Sequence, residues 1–180
     1  GTPILRYGEL RRRLELNDGD GGSRPVALPS LATIRETVLE IRRSKGMVLD
    51  PADPDSRSAG SFFMNPIVPV DAADAALERL RQRTTAAFVA NQLTRELATQ
   101  LTMPRYPARA GEDGTERVKL SAAWLIDRSG LAPGYDHPDH GGGRVGLSRK
   151  HTLALVNRGD ASTADLLAFA AHVQAHVLAA

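Results

Sequence analysis

The sequence predicts an α+β fold, a small sheet with helices packed against it. Three observations carry this. Several stretches place apolar residues three and four apart, the period of a helix with one buried face. Two short runs, Arg144–Leu147 and Leu153–Val156, read as strands; the second is bounded by Thr152 and Asn157. Connections rich in Gly, Pro and Asp separate these elements. The chain has 180 residues, 42% hydrophobic and 24% charged. That is the composition of an ordinary globular chain able to bury a core.

The elements follow in order. Ile4 and Leu5 read as the end of a strand, and no initiator Met precedes them. Leu10 and Leu14 mark a short helix over 7–16, and 17–25 is a loop by composition. Thr33 and Glu36 have capping-box spacing. Ile34, Val38 and Ile41 then line one helix face, and Gly46 stops the helix. Arg42, Arg43 and Lys45 fall in its last turn, where the helix dipole favours cations or where they edge an anionic ligand. Asp50–Asp55 reads as a rigid polar linker and a domain boundary. Asp71 caps a helix carrying Ala76, Leu77 and Leu80. A second helical stretch carries Phe88, Leu93, Leu97 and Leu101, with a break expected at Thr84–Thr85 if the two form a hairpin. Pro104-Arg105-Tyr106-Pro107 is stiff, and 109–116 is a polar loop. Val118-Lys119-Leu120 leads into a helix ending near Gly130, with Leu120, Ala123 and Trp124 on one face. Residues 133–143 form a second loop. Ser162–Asp165 caps the last helix, whose buried stripe is Leu166, Phe169, Ala170, Val173 and Val177. Val177–Ala180 ends on a helical pattern without a cap, so both ends read as cut.

The stretch densest in chemistry is Ser58-Ala59-Gly60-Ser61-Phe62-Phe63-Met64-Asn65-Pro66. Gly60 can take a backbone angle that other residues resist and lets a ligand come close. Extended backbone would send Phe62 and Phe63 to opposite faces, one into the core and one to a pocket. Pro66 holds Asn65 extended and fixes its amide. Locally, a buried turn with a capping serine accounts for this stretch as well as a site does.

Several classes are excluded. Lys and Arg number 23 and Asp and Glu 21, a net charge of +2. No basic stripe is interleaved with aromatics, so nucleic acid is not an expected partner. Arg11–Arg13 reads as a solvated helix face. There is no Cys, which removes disulfides and thiolate chemistry and fits a reducing compartment. No apolar run of about 18 residues exists to span a membrane, and the start is not a signal peptide. His137 and His140 share a loop, and His172 and His176 are one helical turn apart. Neither pair has a third ligand nearby, so no metal is expected, and His172 and His176 are expected to face solvent opposite the apolar stripe of their helix.

Separated blocks together resemble one family. They are Gly60–Pro66, Pro104–Pro107, Val118–Ile126 and Ser148–Asn157, with Arg6-Tyr7-Gly8-Glu9-Leu10 upstream. In order and spacing they are similar to the UDP-N-acetylenolpyruvoylglucosamine reductases of peptidoglycan precursor synthesis. The resemblance implies that residues 1–48 end a flavin-binding domain, itself α+β, and that 49–180 form the substrate-binding domain. It implies FAD, bound mainly outside this chain, and NADPH as co-substrate. The implied substrate is UDP-N-acetylglucosamine enolpyruvate, and the protein is a cytoplasmic bacterial monomer. Ser61 takes the role of proton donor to the substrate Cα. Gly60, Asn65, Tyr106, Lys119 and His151 take substrate-binding roles. Lys119, read as a helix-start lysine, opposes the dipole there, which favours a functional role. Met64 and Pro133 depart from the family, which places basic residues at both. A catalytic Glu is implied beyond residue 180, and no Glu follows Glu116. Alone, the chain is then inactive, or is a UDP-sugar-binding module. An α+β interaction domain without a ligand leaves Ser61, Asn65, Tyr106 and Lys119 unexplained as a group.

Overall fold

The computed structural model describes residues 5–14, 29–87 and 101–180. The chain is α+β: among the described residues it forms two three-stranded antiparallel sheets with helices packed on them. Of the second helical stretch, Phe88, Leu93 and Leu97 lie outside the described residues, as does the loop at 17–25, while Leu101 is described and lies in no helix.

Helix α1 is Gly8–Arg13 and α2 is Leu31–Ser44. The cap of α2 is Ser30, whose hydroxyl accepts from the Thr33 amide at 3.1 Å. This corrects the expected capping box on Thr33 and Glu36. Both hydroxyls were available, and Ser30 takes the extended cap conformation one turn earlier. Glu36 pairs instead with Arg43, at 2.9 Å. Gly46, at φ +66°, ends the helix as expected. Lys45 reaches back to Glu9 at 2.7 Å, joining α2 to α1.

The first sheet runs β1 (Ser58–Ser61), β6 (Ala154–Asn157), β5 (Val145–Leu147). Ser58 pairs with Val156 and Ser61 with Ala154, so the register slips between them. Gly60 sits in the slip at φ +69°, where a side chain would be strained. The last helix here, α5 (Thr163–Ala179), packs on β5 and β6. Its N-terminus is the expected capping box, with Ser162 and Asp165 bonding reciprocally. Arg144 at 2.7 Å and the Ser162 bonds hold the Asp165 carboxyl down to about 2. Phe169, Ala170 and Val173 bury against Ile126, Leu131, Val145, Leu147 and Leu155, as the apolar stripe requires.

The second sheet runs β2 (Ile67–Pro69), β4 (Arg117–Leu120), β3 (Arg105–Pro107). Helix α3 (Val70–Ala87) packs over it, burying Ala73 with Met103 and Leu120. It runs straight through Thr84–Thr85, so the expected break is absent. The Thr84 hydroxyl bonds back to the Leu80 carbonyl at 2.8 Å and is satisfied within the helix. Helix α4 (Ala122–Arg128) follows β4, with Ser121 as cap. Leu120 therefore belongs to a strand, and Ala122 and Ile126 are the fully buried helix positions. Trp124 is half-buried against the second core.

The two helix histidines, His172 and His176, do not face solvent as expected. His172 on α5 stacks with His140 and meets His137, at ring centroids of 4.3 and 4.6 Å. Its Nε2 lies 2.8 Å from the Tyr135 hydroxyl. His176 Nε2 lies 3.0 Å from the Ser129 carbonyl. The 133–143 loop folds over α5 and brings distant imidazoles together, which helical spacing alone could not reveal. Among the described residues no group of three or more His, Asp or Glu is arranged to hold a metal ion. Burial, then the neighbouring His140, His137 and His176, pushes His172 below the ordinary imidazole pKa. Burial with Lys45 does the same to His151. The unfolded chain therefore takes up protons that the folded one refuses. Thermal unfolding should show stability falling as pH drops below about 6.5 and no such loss above it. His172→Gln should flatten part of that slope.

Candidate functional site

Ser61 ends β1 at the bulge made by Gly60, and the slip re-aims its side chain. No heavy atom lies within 4 Å of the place a Cβ on Gly60 would occupy. Gly60 and Ser61 line a cavity of about 280 Å³ together with Arg42, Met47, Leu49, Ser56 and Ser58. Ser61 is exposed to it. The Ser61 Oγ stands 3.4 Å from His151 Nε2.

His151 is carried on the tight turn 148–151 before β6, and that turn is braced from below. The Asp55 carboxylate is buried and accepts from the Ser148 hydroxyl at 3.0 Å and the Arg149 amide at 2.7 Å. The Ser148 hydroxyl in turn accepts from the Lys150 and His151 amides at 3.0 and 3.3 Å. Lys150 closes on Asp53 at 2.7 Å. Asp50–Asp55 is therefore more than a spacer. It runs into a 3-10 turn, Pro54–Ser56, with Asp55 and Ser56 buried. Sequence reading missed Asp55 and Ser148. The available signal was the hydroxyl at Ser148 two residues before Lys150, a common side-chain-to-backbone turn.

Asn65 Oδ1 accepts from the Ala122 amide at 2.9 Å, so its carbonyl is spent on the start of α4. Tyr106 and Lys119 are cross-strand partners on β3 and β4 and share one face of the second sheet. Lys119 is thus a strand residue, and the argument from an opposed helix dipole does not apply to it. The structure brings Ser61 at the end of β1 to His151 on the turn before β6, and Tyr106 to Lys119 on the second sheet. Phe62–Pro66 links the two sheets, and the Leu120 amide bonds the Pro66 carbonyl at 2.9 Å.

Phe62 and Phe63 do not diverge. Both pack against the first core, edge to face at 5.5 Å, and both line an apolar groove of about 570 Å³ between this segment, α4 and α5. The backbone leaves the strand after Ser61, so alternation no longer applies. Arg149 lays its stem over Gly134, beside Pro133. Among the described residues no helix is long and apolar enough to cross a membrane.

The family described as UDP-N-acetylenolpyruvoylglucosamine reductase, C-terminal domain, matches residues 50–180. A protein named UDP-N-acetylenolpyruvoylglucosamine reductase from Thermobifida fusca is 50% identical over 173 residues, 96% of this chain and 40% of its own length. One of the same name from Saccharopolyspora erythraea is 48% identical over 175 residues, 97% of this chain and 40% of its own. One from Streptomyces avermitilis is 46% identical over 186 residues, 96% of this chain and 45% of its own. The chain thus spans less than half the length of the curated relatives it matches. A family match from residue 50 to residue 180, with near-half identity over almost the whole chain, means that the chain belongs to the UDP-N-acetylenolpyruvoylglucosamine reductase family.

Proposed function

We propose that this chain supplies the substrate-binding portion of a reductase in peptidoglycan precursor synthesis. The reaction converts UDP-N-acetylglucosamine enolpyruvate to UDP-N-acetylmuramate, with NADPH as reductant and FAD as carrier. The observation that carries this reading is Ser61, set by a glycine bulge at a small cavity in a chain of this family. Residues 49–180 are the substrate-binding domain, and 1–48 are the end of the flavin-binding domain.

The residues present fit one edge of a flavin, not a whole flavin site. Gly60 leaves open space at the cavity mouth, and Arg42 lines its wall. When bound, FAD supplies hydride to the enolpyruvyl Cβ. Ser61 then gives a proton to Cα, where negative charge has developed. A serine hydroxyl is a weak acid, so its site must stabilise the charge left on Oγ. Asn65 offers its amide nitrogen to the substrate, and Tyr106 and Lys119 bind the diphosphate. Lys119 is a point charge, and Tyr106 is a neutral donor on a stiff strand between prolines. Arg149, lying beside Pro133, supplies a cation near the position where the family carries a basic group.

Calorimetric titration of the complete reductase with the substrate nucleotide tests the binding face. A charge-assisted phosphate contact is worth about 1.5–3 kcal/mol. Lys119→Ala should therefore weaken binding about 10- to 100-fold, and Tyr106→Phe less than 10-fold. Wild-type affinity in both variants would move the diphosphate elsewhere.

A further inference from the structure

The 3.4 Å contact between Ser61 Oγ and His151 Nε2 supports an inference that rests on the reading of Ser61 as proton donor. We infer that His151 is a positioning residue for Ser61: its neutral imidazole donates Nε2–H to Oγ and turns the hydroxyl proton into the cavity. A hydroxyl has one proton and two lone pairs. If Nε2–H occupies one lone pair, the serine proton must point elsewhere, and the open side is the cavity past Gly60. The same bond stabilises the negative charge left on Oγ once the proton has gone to Cα. In the opposite polarity, with Ser61 donating to a bare Nε2, the serine proton would be held away from the substrate.

The surroundings suit the assigned polarity. His151 is half-buried, which disfavours its charged form, and the Lys45 ammonium adds to that effect. Asp127 opposes both, as the third influence. Lys45 is itself fixed by Glu9 at 2.7 Å and by the Tyr7 hydroxyl at 3.2 Å. The imidazole does not depend on substrate for its placement. Its backbone amide is bonded to Ser148, which is bonded to the buried Asp55. This is a preorganised support, built from a segment about ninety residues away in sequence.

The test uses the complete flavin-loaded reductase in single turnover, following flavin reoxidation by the enolpyruvyl substrate. His151→Ala should slow reoxidation about 10- to 100-fold, the scale of a misplaced reacting group, while substrate affinity changes less than about threefold. His151→Gln, which keeps a donor, should recover most of the rate. In a Ser61→Ala background, His151→Ala should add nothing. An equal slowing in both backgrounds would mean that His151 acts on the substrate directly, and would overturn the inference. Reoxidation at the wild-type rate in Ser61→Ala alone would instead remove the proton-donor reading beneath it. Nitrogen NMR of labelled histidine in flavin-free protein gives a readout independent of turnover. The inference requires the proton on Nε2, with its signal moving in Ser61→Ala. A bare Nε2 with the proton on Nδ1 would overturn it.

Discussion

Ser61→Ala should lower turnover of the complete reductase about 10²- to 10⁴-fold while leaving the fold intact. General acid catalysis by a positioned side chain contributes on that scale, equivalent to about 3–5.5 kcal/mol of barrier. The substitution should do little to stability. Ser61 is exposed, its backbone partner Ala154 is unaffected by the side chain, and among the described residues its side-chain hydrogen bond is the long one to His151. Substrate binding should change little, because the proposed role needs the hydroxyl most when charge has developed at Cα. Steady-state kinetics should therefore show kcat falling and KM nearly constant. Circular dichroism with thermal melting checks that the loss is not unfolding. Gly60→Ala makes a useful contrast. It strains a backbone at φ +69° beside Ser61, so it should damage both stability and turnover.

Asp55→Ala should destabilise the chain by about 3 kcal/mol and loosen the 148–151 turn. The carboxylate is buried and receives two bonds, at 2.7 and 3.0 Å. A hydrogen bond to a charged group is worth about 1.5–3 kcal/mol, and truncation also leaves the donors without a buried partner. Water entering the space lowers the sum, and rotation of the Ser148 hydroxyl relieves part of it. Asp55→Asn keeps the shape and one acceptor, so its cost should be smaller. Denaturant unfolding measures both. Activity should fall further than stability at a permissive temperature, because His151 rides on the turn that Asp55 holds. If Asp55→Ala melts near wild type, the brace is not a major support. If it is unstable but catalyses normally when folded, the turn does not position the site.

Local signals on this chain were legible where one residue decides the outcome. Gly60 announced a positive φ, and Ser162 with Asp165 announced a helix start. Leu166, Phe169, Ala170 and Val173 showed the buried stripe of the last helix. Both strands of the 144–157 region were predicted to within a residue or two. Signals failed where the deciding partner lies far away. Asp50, Asp53 and Asp55 look alike in sequence, yet only Asp55 is buried, because Ser148 and Arg149 reach it across the fold. Lys119 was read as helical because a strand of four residues is too short to show its period before a helix begins. The gathering of His137, His140 and His172 depends on a loop closing over α5. Ser61 and His151 were each singled out by their motifs, but their contact is a property of the β1–β6 pairing.

The half-reactions separate the central claim from every role that only supports the fold. In the complete Ser61→Ala reductase, stopped-flow absorbance should show flavin reduction by NADPH at the wild-type rate. Reoxidation by the enolpyruvyl substrate should be slowed by about 10² or more. Reoxidation at the wild-type rate, with reduction also unchanged, would contradict the account: Ser61 would not be the proton donor.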